Sequence, residues 1–174
     1  MKLSDGEITR LTSSLDRAIG DFTWRKNSRG LVFSYLDEGD NKLAAVNLKG
    51  DVKPLDVAIG GQSLGRPYTS GAFAMSDEGT IVYTSAARNM PGDLTLYRTR
   101  DNDKALTHLN DDTLGHKALA EVIDLSVTSS VDERNIDAWI ALPPGFDSSK
   151  KYPFILEIHG GPHAAYGPHF AMEI

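Results

Sequence analysis

The sequence of 174 residues contains no cysteine. That absence excludes disulfide bonds, iron–sulfur clusters, thiolate zinc sites and cysteine nucleophiles. Blocks of lysine and arginine are missing too, and 18 basic against 24 acidic side chains give a formal net charge of −6. Such a balance argues against a surface for nucleic acid, whose phosphates attract clustered positive charge. The sequence therefore predicts neither a thiol-based site nor a nucleic-acid partner.

Long apolar stretches are also absent. The apolar runs are short pieces such as Phe154-Ile155-Leu156, whereas a membrane-spanning helix needs roughly 20 apolar residues. The opening residues, 1–6, lack the apolar core of a signal peptide. We therefore expect a soluble protein with no membrane partner, and the cytoplasm is the favoured compartment.

Aspartate is abundant. It accounts for 17 of the 24 acidic residues, and its side chain favours turns because it hydrogen-bonds to nearby backbone groups. Long stretches rich in glutamate, lysine, alanine and leucine, which favour helices, are missing. This composition predicts a β-rich chain with many tight turns.

Two groups of short strands are predicted within the first 110 residues, because apolar or β-branched runs alternate there with glycine, aspartate and asparagine. The turn glycines Gly30 and Gly79, which precede equivalent strands, are 49 residues apart. The predicted strands of the first group are Phe22–Trp24, Leu31–Leu36, Lys42–Leu48 and Val52–Val57, and those of the second are Ile81–Thr84, Leu94–Arg98 and Ala105–Thr107.

A period near 50 residues with four short strands is typical of a β-propeller blade. Residues Leu3–Thr12 are similar to the last hairpin of an earlier blade. A propeller needs about 4–8 blades to close its ring, so two blades and a remnant predict that the chain is a piece of a longer polypeptide. Residues 1–115 are thus interpreted as a partial β-propeller.

The repeat stops after residue 115. Glu121–Thr128 and Ile136–Leu142 predict a hairpin that turns at Asp132-Glu133. Tyr152–His159 is largely apolar and predicts a strand of a sheet that is covered on both faces. The expected fold is therefore mostly β: the last blades of a propeller, followed over residues 116–174 by the first strands of a second, incomplete domain.

The predicted apolar strand runs directly into His159-Gly160-Gly161-Pro162-His163. In α/β hydrolases a strand that ends in His-Gly-Gly supplies part of the oxyanion hole. Backbone N–H groups there stabilise the negative oxygen of a tetrahedral intermediate. Glycine suits this position because a Cβ would crowd the substrate.

Residues 150–163, with Tyr166-Gly167 and Phe170 after them, resemble the prolyl oligopeptidase family of serine peptidases, nearest to its acylaminoacyl-peptidase and dipeptidyl-peptidase-like branch. In that family a β-propeller precedes or interrupts an α/β-hydrolase domain. The hairpin of residues 121–142 resembles the first hydrolase strands, although Asp132-Glu133 stands where Asp-Gly is usual.

The resemblance implies a parent enzyme that hydrolyses short peptides by acyl transfer, without a cofactor. It assigns one oxyanion-hole N–H to Gly161 or Gly160, with Gly161 slightly favoured. The family's nucleophilic serine, acid and base lie further downstream, outside these 174 residues, so this chain alone is expected to be inactive.

Two local patterns match a functional motif, but are better interpreted without a catalytic or metal-binding role. Gly61-Gln62-Ser63-Leu64-Gly65 matches the Gly-x-Ser-x-Gly elbow, but no helical period follows it as the motif requires, so Ser63 is interpreted as a loop serine. His159, His163 and His169 have spacings at which imidazoles can converge on zinc. We favour packing and loop roles for them and expect no metal.

Other functions stay open on the sequence alone. Blades that present loops to a partner would make a non-catalytic binding module, and an esterase would use the same oxyanion segment. The loop from Gly60 to Thr69 would contact substrate if it faced the propeller mouth. Exposed strand edges and apolar faces favour association, which leaves a homo-oligomer open.

Overall fold

The computed structural model describes residues 4–98 and 103–174. Within those ranges the regular structure is almost entirely β, as the composition predicts. The elements are β1 (Ile19–Trp24), β2 (Gly30–Asp37), β3 (Asp40–Asn47), β4 (Val52–Ile59), β5 (Phe73–Met75), β6 (Ile81–Ala87), β7 (Met90–Tyr97), β8 (Lys104–Ala105), α1 (Asp111–Leu114), β9 (Glu121–Thr128) and β10 (Asn135–Leu142).

The strands form two four-stranded antiparallel sheets and one hairpin. Strands β1 to β4 follow one another in the first sheet, β5 to β8 do so in the second, and β9 pairs with β10. In the first sheet Asp37 pairs with Asp40. Glu38 and Gly39 between them both have positive φ, at 52° and 78°, which makes a two-residue turn that fits the twist of a hairpin.

The first sheet is buried on both faces. One face packs against the second sheet, and the other is covered by Leu11 and Leu15 from the chain that precedes β1. Side chains alternate between the faces because successive residues of a strand point to opposite sides. The buried residues between the sheets are Val32, Leu43, Ala45, Val57, Ile59, Ile81 and Tyr83, and those on the outer face are Phe33, Tyr35, Ala44 and Val46.

Most of the predicted strands are confirmed. The four predicted strands of the first group and the three of the second appear, and the hairpin of residues 121–142 pairs in register from Asn135–Thr128 to Leu142–Glu121. The structure adds the short strand β5 and the four-residue helix α1, which the sequence reading missed. No helix in the described part of the chain is long and apolar enough to span a bilayer.

The predicted strand Tyr152–His159 is wrong for this structure, where these residues form no regular element. Phe154 is 76% exposed and Ile155 is 86% exposed. A strand needs neighbours to satisfy its N–H and C=O groups, and no described strand lies beside this segment. Its apolar sequence therefore has nothing to pack against.

The hairpin predicted at Leu3–Thr12 is also not found. Leu3 lies outside the described residues, and residues 4–12 form turns and irregular backbone rather than strands. Leu11 instead packs on the outer face of the first sheet. Burial of an apolar side chain on that face replaces the strand pairing that the repeat pattern suggested.

Candidate oxyanion site

Three connections meet at one end of the two sheets, which we call the loop end. They are the Glu38–Gly39 turn, the equivalent turn at residues 88–89, and the β4–β5 loop at residues 60–72. The register explains their proximity, because the end of β4 pairs with the start of β3 through Ile59 and Asn41. Antiparallel pairing therefore brings the β4–β5 loop beside the Glu38–Gly39 turn.

The C-terminal residues dock on the loop end. The backbone N–H of Thr69 donates to the Ala165 carbonyl at 3.0 Å, and that of Gly167 donates to the Pro67 carbonyl at 2.9 Å. The rings of Tyr68 and Tyr166 meet edge to face, with centroids 4.8 Å apart. Residues 165–173, the docked segment from here on, are thus held by the β4–β5 loop, and the loop faces the predicted site.

The docked segment also reaches both turns. Its Phe170 N–H donates to the Ala87 carbonyl at 3.3 Å. The His169 Nε2 lies 3.2 Å from the Gly39 carbonyl oxygen and 3.8 Å from the Asp40 carboxylate. Both sheets therefore contribute to its position.

The β9–β10 hairpin lies at the same end. The Arg88 guanidinium donates to both oxygens of Asp124, at 2.9 and 2.8 Å, and to the Val122 carbonyl at 3.1 Å. On β10, the indole of Trp139 covers Gly39 so closely that a Cβ there would overlap it. The hairpin and the docked segment thus both pack against the loop end of the two sheets.

Gly160 and Gly161 differ in whether their backbone conformation and surroundings allow a side chain. Gly161 has a φ of +150°, and a Cβ there would come within 3.0 Å of the His163 nitrogen. At Gly160 a Cβ would meet only the Tyr68 hydroxyl, at 3.8 Å. The fold therefore requires glycine at position 161, whereas it leaves room for a side chain at position 160.

The amides of these two glycines are free of internal partners. Among the described residues, neither N–H donates a hydrogen bond, and both residues are exposed. The neighbouring His159 Nδ1 instead lies 2.8 Å from the Gly160 carbonyl oxygen. Two open N–H groups are what binding to a negatively charged oxygen requires.

Charged side chains lie near the segment that contains Gly160 and Gly161. Arg66 Nε lies 3.0 Å from a Glu173 oxygen, and its Nη1 lies 3.6 Å from a Glu157 oxygen. The pKa of Arg66 is raised, first by hydrogen bonding to Tyr166 and then by the Glu173 and Glu157 carboxylates. Desolvation and the hydrogen bond to Glu157 raise the pKa of Tyr166. These groups form one connected polar network.

The three histidines do not converge. The His159 ring contacts Tyr166 at a centroid distance of 5.6 Å, while His169 is buried beside Asp40. Burial lowers the pKa of His169, so the neutral ring is favoured. Across residues 4–98 and 103–174, no three His, Asp or Glu side chains are arranged to hold a metal ion.

Ser63 lies in the β4–β5 loop, where its hydroxyl donates to the Arg66 carbonyl at 2.7 Å. The element that follows is the short strand β5, not a helix, so the strand–turn–helix context of a nucleophile is missing. Sequence reasoning missed Arg66, Tyr68 and Tyr166 as neighbours of the glycines. The sequence pointed to them only through the hypothesis that the Gly60–Thr69 loop would contact substrate if it faced the propeller mouth, and through the place of Tyr166 among the residues that carry the resemblance.

Curated relatives of this chain are peptidases. No family model matches the sequence. The chain is 25% identical over 185 residues to the "Uncharacterized peptidase YuxL" of Bacillus subtilis, covering 98% of this chain and 27% of that protein. It is 29% identical to a "Probable dipeptidyl-peptidase 5" of Emericella nidulans, covering 94% of this chain and 22% of that one.

Solved structures show the same fold. An acylaminoacyl peptidase in complex with Z-Gly-Gly-Phe-chloromethyl ketone superposes with a TM-score of 0.73 at 23% identity, over 95% of this chain and 24% of its own. The acylaminoacyl peptidase of Pyrococcus horikoshii gives 0.72 at 22% identity, over 96% and 24%. The chain thus spans about a quarter of the length of its relatives. The resemblance carried by residues 150–170 is confirmed: this chain is related to peptidases of the prolyl oligopeptidase family.

Proposed function

We propose that this chain forms part of a serine peptidase that hydrolyses short peptides by acyl transfer. Its own share of the chemistry is the oxyanion-hole segment at Gly160 and Gly161. The observation that carries the proposal is a pair of exposed glycine amides, free of internal bonds, in a chain whose curated relatives are peptidases. The peptide character of the ligand named for a solved neighbour supports a peptide substrate.

The domain assignment is part of the same proposal. Residues 1–115 would be a partial β-propeller, with the sheets β1–β4 and β5–β8 as blades that pack face to face through residues such as Val32 and Ile81. Residues 116–174 would begin an α/β-hydrolase domain with the β9–β10 hairpin.

In this mechanism the developing alkoxide sits against a backbone N–H of Gly161 or Gly160. A second donor and the Ser–His–Asp groups would come from residues outside this chain. Such a donor acts because it is already in place when the charge forms, and losing one costs about 10²- to 10³-fold in kcat. The arrangement serves amide and ester bonds alike, so assays with both substrate types separate a peptidase from an esterase.

Gly160 offers the cleanest test, because the fold leaves room for a side chain there. In the full-length enzyme that contains this chain, Gly160→Ala should keep the protein folded and lower kcat on a chromogenic aminoacyl substrate by at least tenfold, since a methyl group would crowd the oxyanion. Gly145→Ala, in the loop after β10, is a stringent control: a Cβ there meets nothing within 4 Å, but its φ of +71° gives the variant a left-handed strain that Gly160→Ala does not have. It should still retain turnover. Wild-type turnover by Gly160→Ala would exclude Gly160 and leave Gly161 as the remaining candidate donor.

The 174-residue chain on its own gives a second test. It should neither hydrolyse the substrate nor react with a fluorophosphonate probe, because Ser63 is bonded to the Arg66 carbonyl and lacks an elbow. Ser63→Ala in the full-length enzyme should likewise retain turnover. Stoichiometric labelling of the isolated 174-residue chain by the probe would contradict the proposal that the nucleophilic serine lies outside this chain.

A further inference from the structure

Arg66 joins the chain on both sides of the glycine pair. Its Nη1 faces Glu157, three residues before Gly160, and its Nε faces Glu173, twelve residues after Gly161. A guanidinium suits this task because its donors point in fixed directions within one plane. One side chain of the β4–β5 loop therefore ties together the two ends of the segment that contains the turn.

Tyr166 reinforces the contact with Glu157. Its hydroxyl donates to the same Glu157 oxygen at 3.0 Å, and its ring lies between Tyr68 and His159, at centroid distances of 4.8 and 5.6 Å. Only 9% of Tyr166 is exposed. Glu157 thus contacts both the half-exposed guanidinium of Arg66 and the hydroxyl of the buried Tyr166.

Arg66 is itself held in place. Its carbonyl accepts the Ser63 hydroxyl at 2.7 Å. Two nearby residues bind the docked segment: the carbonyl of Leu64, two residues before Arg66, accepts from the Met172 N–H at 2.8 Å, and the carbonyl of Pro67, directly after it, accepts from the Gly167 N–H at 2.9 Å. The guanidinium therefore projects from a backbone that is already fixed against the docked segment.

The stretch that leads into the glycines has few other attachments. Residues 151–160 form no strand, and Phe154 and Ile158 are 76% and 73% exposed. Among the described residues, the contacts of Glu157 with Arg66 and Tyr166 are the polar links from this stretch to the loop end. The place of the Gly160 and Gly161 amides relative to the sheets thus depends on these links before the glycines and on the docked segment after them, which begins at Ala165.

We propose that Arg66 is a positioning residue: by holding Glu157 and Glu173 it sets the place of the Gly160 and Gly161 amides. The inference rests on the proposed function for its catalytic consequence, but not for its structural one. A group that positions amides without touching substrate should change kcat more than KM, because displacement of about 1 Å from the productive geometry costs up to about 10²-fold in rate.

The structural consequence is measurable on the 174-residue chain, which has no native cysteine. Spin labels at Lys53→Cys on β4 and Ile155→Cys, both exposed, report the distance from the first sheet to the segment before the glycines. Arg66→Ala should broaden the distance distribution, and Arg66→Lys should broaden it less. Arg134→Ala, which removes an exposed arginine paired with Asp132 at 3.2 Å, is the matched control. An unchanged distribution in Arg66→Ala would overturn the inference.

The catalytic consequence is measured in the full-length enzyme. Arg66→Ala should lower kcat about tenfold, less than the 10²- to 10³-fold loss of a whole oxyanion donor, with KM within about twofold of wild type. A peptide aldehyde, whose adduct carries the tetrahedral oxyanion, should bind about tenfold more weakly. Arg66→Lys should restore part of both losses. A raised KM with unchanged kcat would show that Arg66 binds substrate instead.

The two readouts separate the two proposals. If the wild-type enzyme hydrolyses no peptide, the proposed function fails, and the spin-label distances still decide whether Arg66 fixes the segment. If the enzyme is active but Arg66→Ala matches wild type in both assays, the proposed function stands and the positioning role is rejected.

Discussion

The first sheet and residues 151–160 contain the same kinds of apolar side chain but bury them differently. Phe33 is 2% exposed, whereas Phe154 is 76% exposed; Ile59 is 1% exposed, whereas Ile158 is 73% exposed. Hydrophobicity does not distinguish the two regions. What differs is the presence of neighbouring strands, which the first sheet has and the later segment lacks within the described residues.

The cause of the difference is the distance along the chain at which partners are found. Strands β1 to β4 pair with their neighbours in sequence, and a two-residue turn is enough to join β2 to β3. A strand of a parallel sheet needs a crossover of a dozen or more residues before its partner arrives. The run Phe154–Ile158 has no described strand within a short loop of it, and it stays unpaired and exposed.

The largest effect should come from truncating the same side chain in both regions. Phe33→Ala removes a fully packed ring from the outer face of the first sheet, so the free energy of unfolding should fall by about 3–5 kcal/mol. Phe154→Ala removes an exposed ring and should change it by less than about 0.5 kcal/mol. Urea denaturation followed by fluorescence measures both. Similar losses for the two variants would mean that the apolar segment is packed after all.

A smaller effect is expected where the β4–β5 loop contacts the second sheet. Gly61 and Gly79 have nearly equal φ, at +85° and +87°, but a Cβ at Gly61 would overlap Gly92 while one at Gly79 meets nothing within 4 Å. Both Ala variants bear a left-handed strain of about 1–2 kcal/mol, and Gly61→Ala should lose about 1–3 kcal/mol more from overpacking. Thermal unfolding measures the difference. Equal losses would show that the loop moves aside freely.

Much of the fold was predictable because its signals are local. The apolar runs of β2 and β3, with the Glu38–Gly39 turn between them, specify a hairpin within 18 residues. The repeat of this strand pattern after about 50 residues then predicted the second sheet. The predicted strand at Tyr152–His159 was wrong because an apolar sequence shows that a segment could form a buried strand, but does not show that a partner strand lies next to it.

The site was predictable only in part. His159-Gly160-Gly161 could be found because a strand that ends in His-Gly-Gly is an oxyanion-hole motif of α/β hydrolases. Arg66 and Glu173 could not, since each is an ordinary charged residue in a loop and they are 107 positions apart. Their meeting follows from the register that brings the β4–β5 loop to the Glu38–Gly39 turn, which no single segment encodes.

The smallest effect should appear as a pH dependence of the docked segment. The His169 side chain is 9% exposed, and burial lowers its pKa, opposed by the Asp40 carboxylate and assisted by Arg88. The unfolded chain, with an ordinary histidine pKa near 6.5, therefore binds more protons at mildly acidic pH than the folded chain does. The contribution of His169 to stability is accordingly complete above the ordinary histidine pKa of about 6.5 and is lost as the pH falls below it, through the lowered pKa of the folded chain.

His169→Gln should flatten this decline, because glutamine keeps an N–H for the Gly39 carbonyl but does not titrate. Carboxyls with a lowered pKa, such as Asp37, titrate below 3.8 and so outside the window. Urea midpoints at pH 7.5, 6.5 and 5.5 measure the slope, and His116→Gln, in the loop between α1 and β9, is the matched histidine control. A slope unchanged by His169→Gln would mean that residues 165–173 leave the loop end before the sheets unfold, which would extend the contrast between the two regions to the docked segment itself.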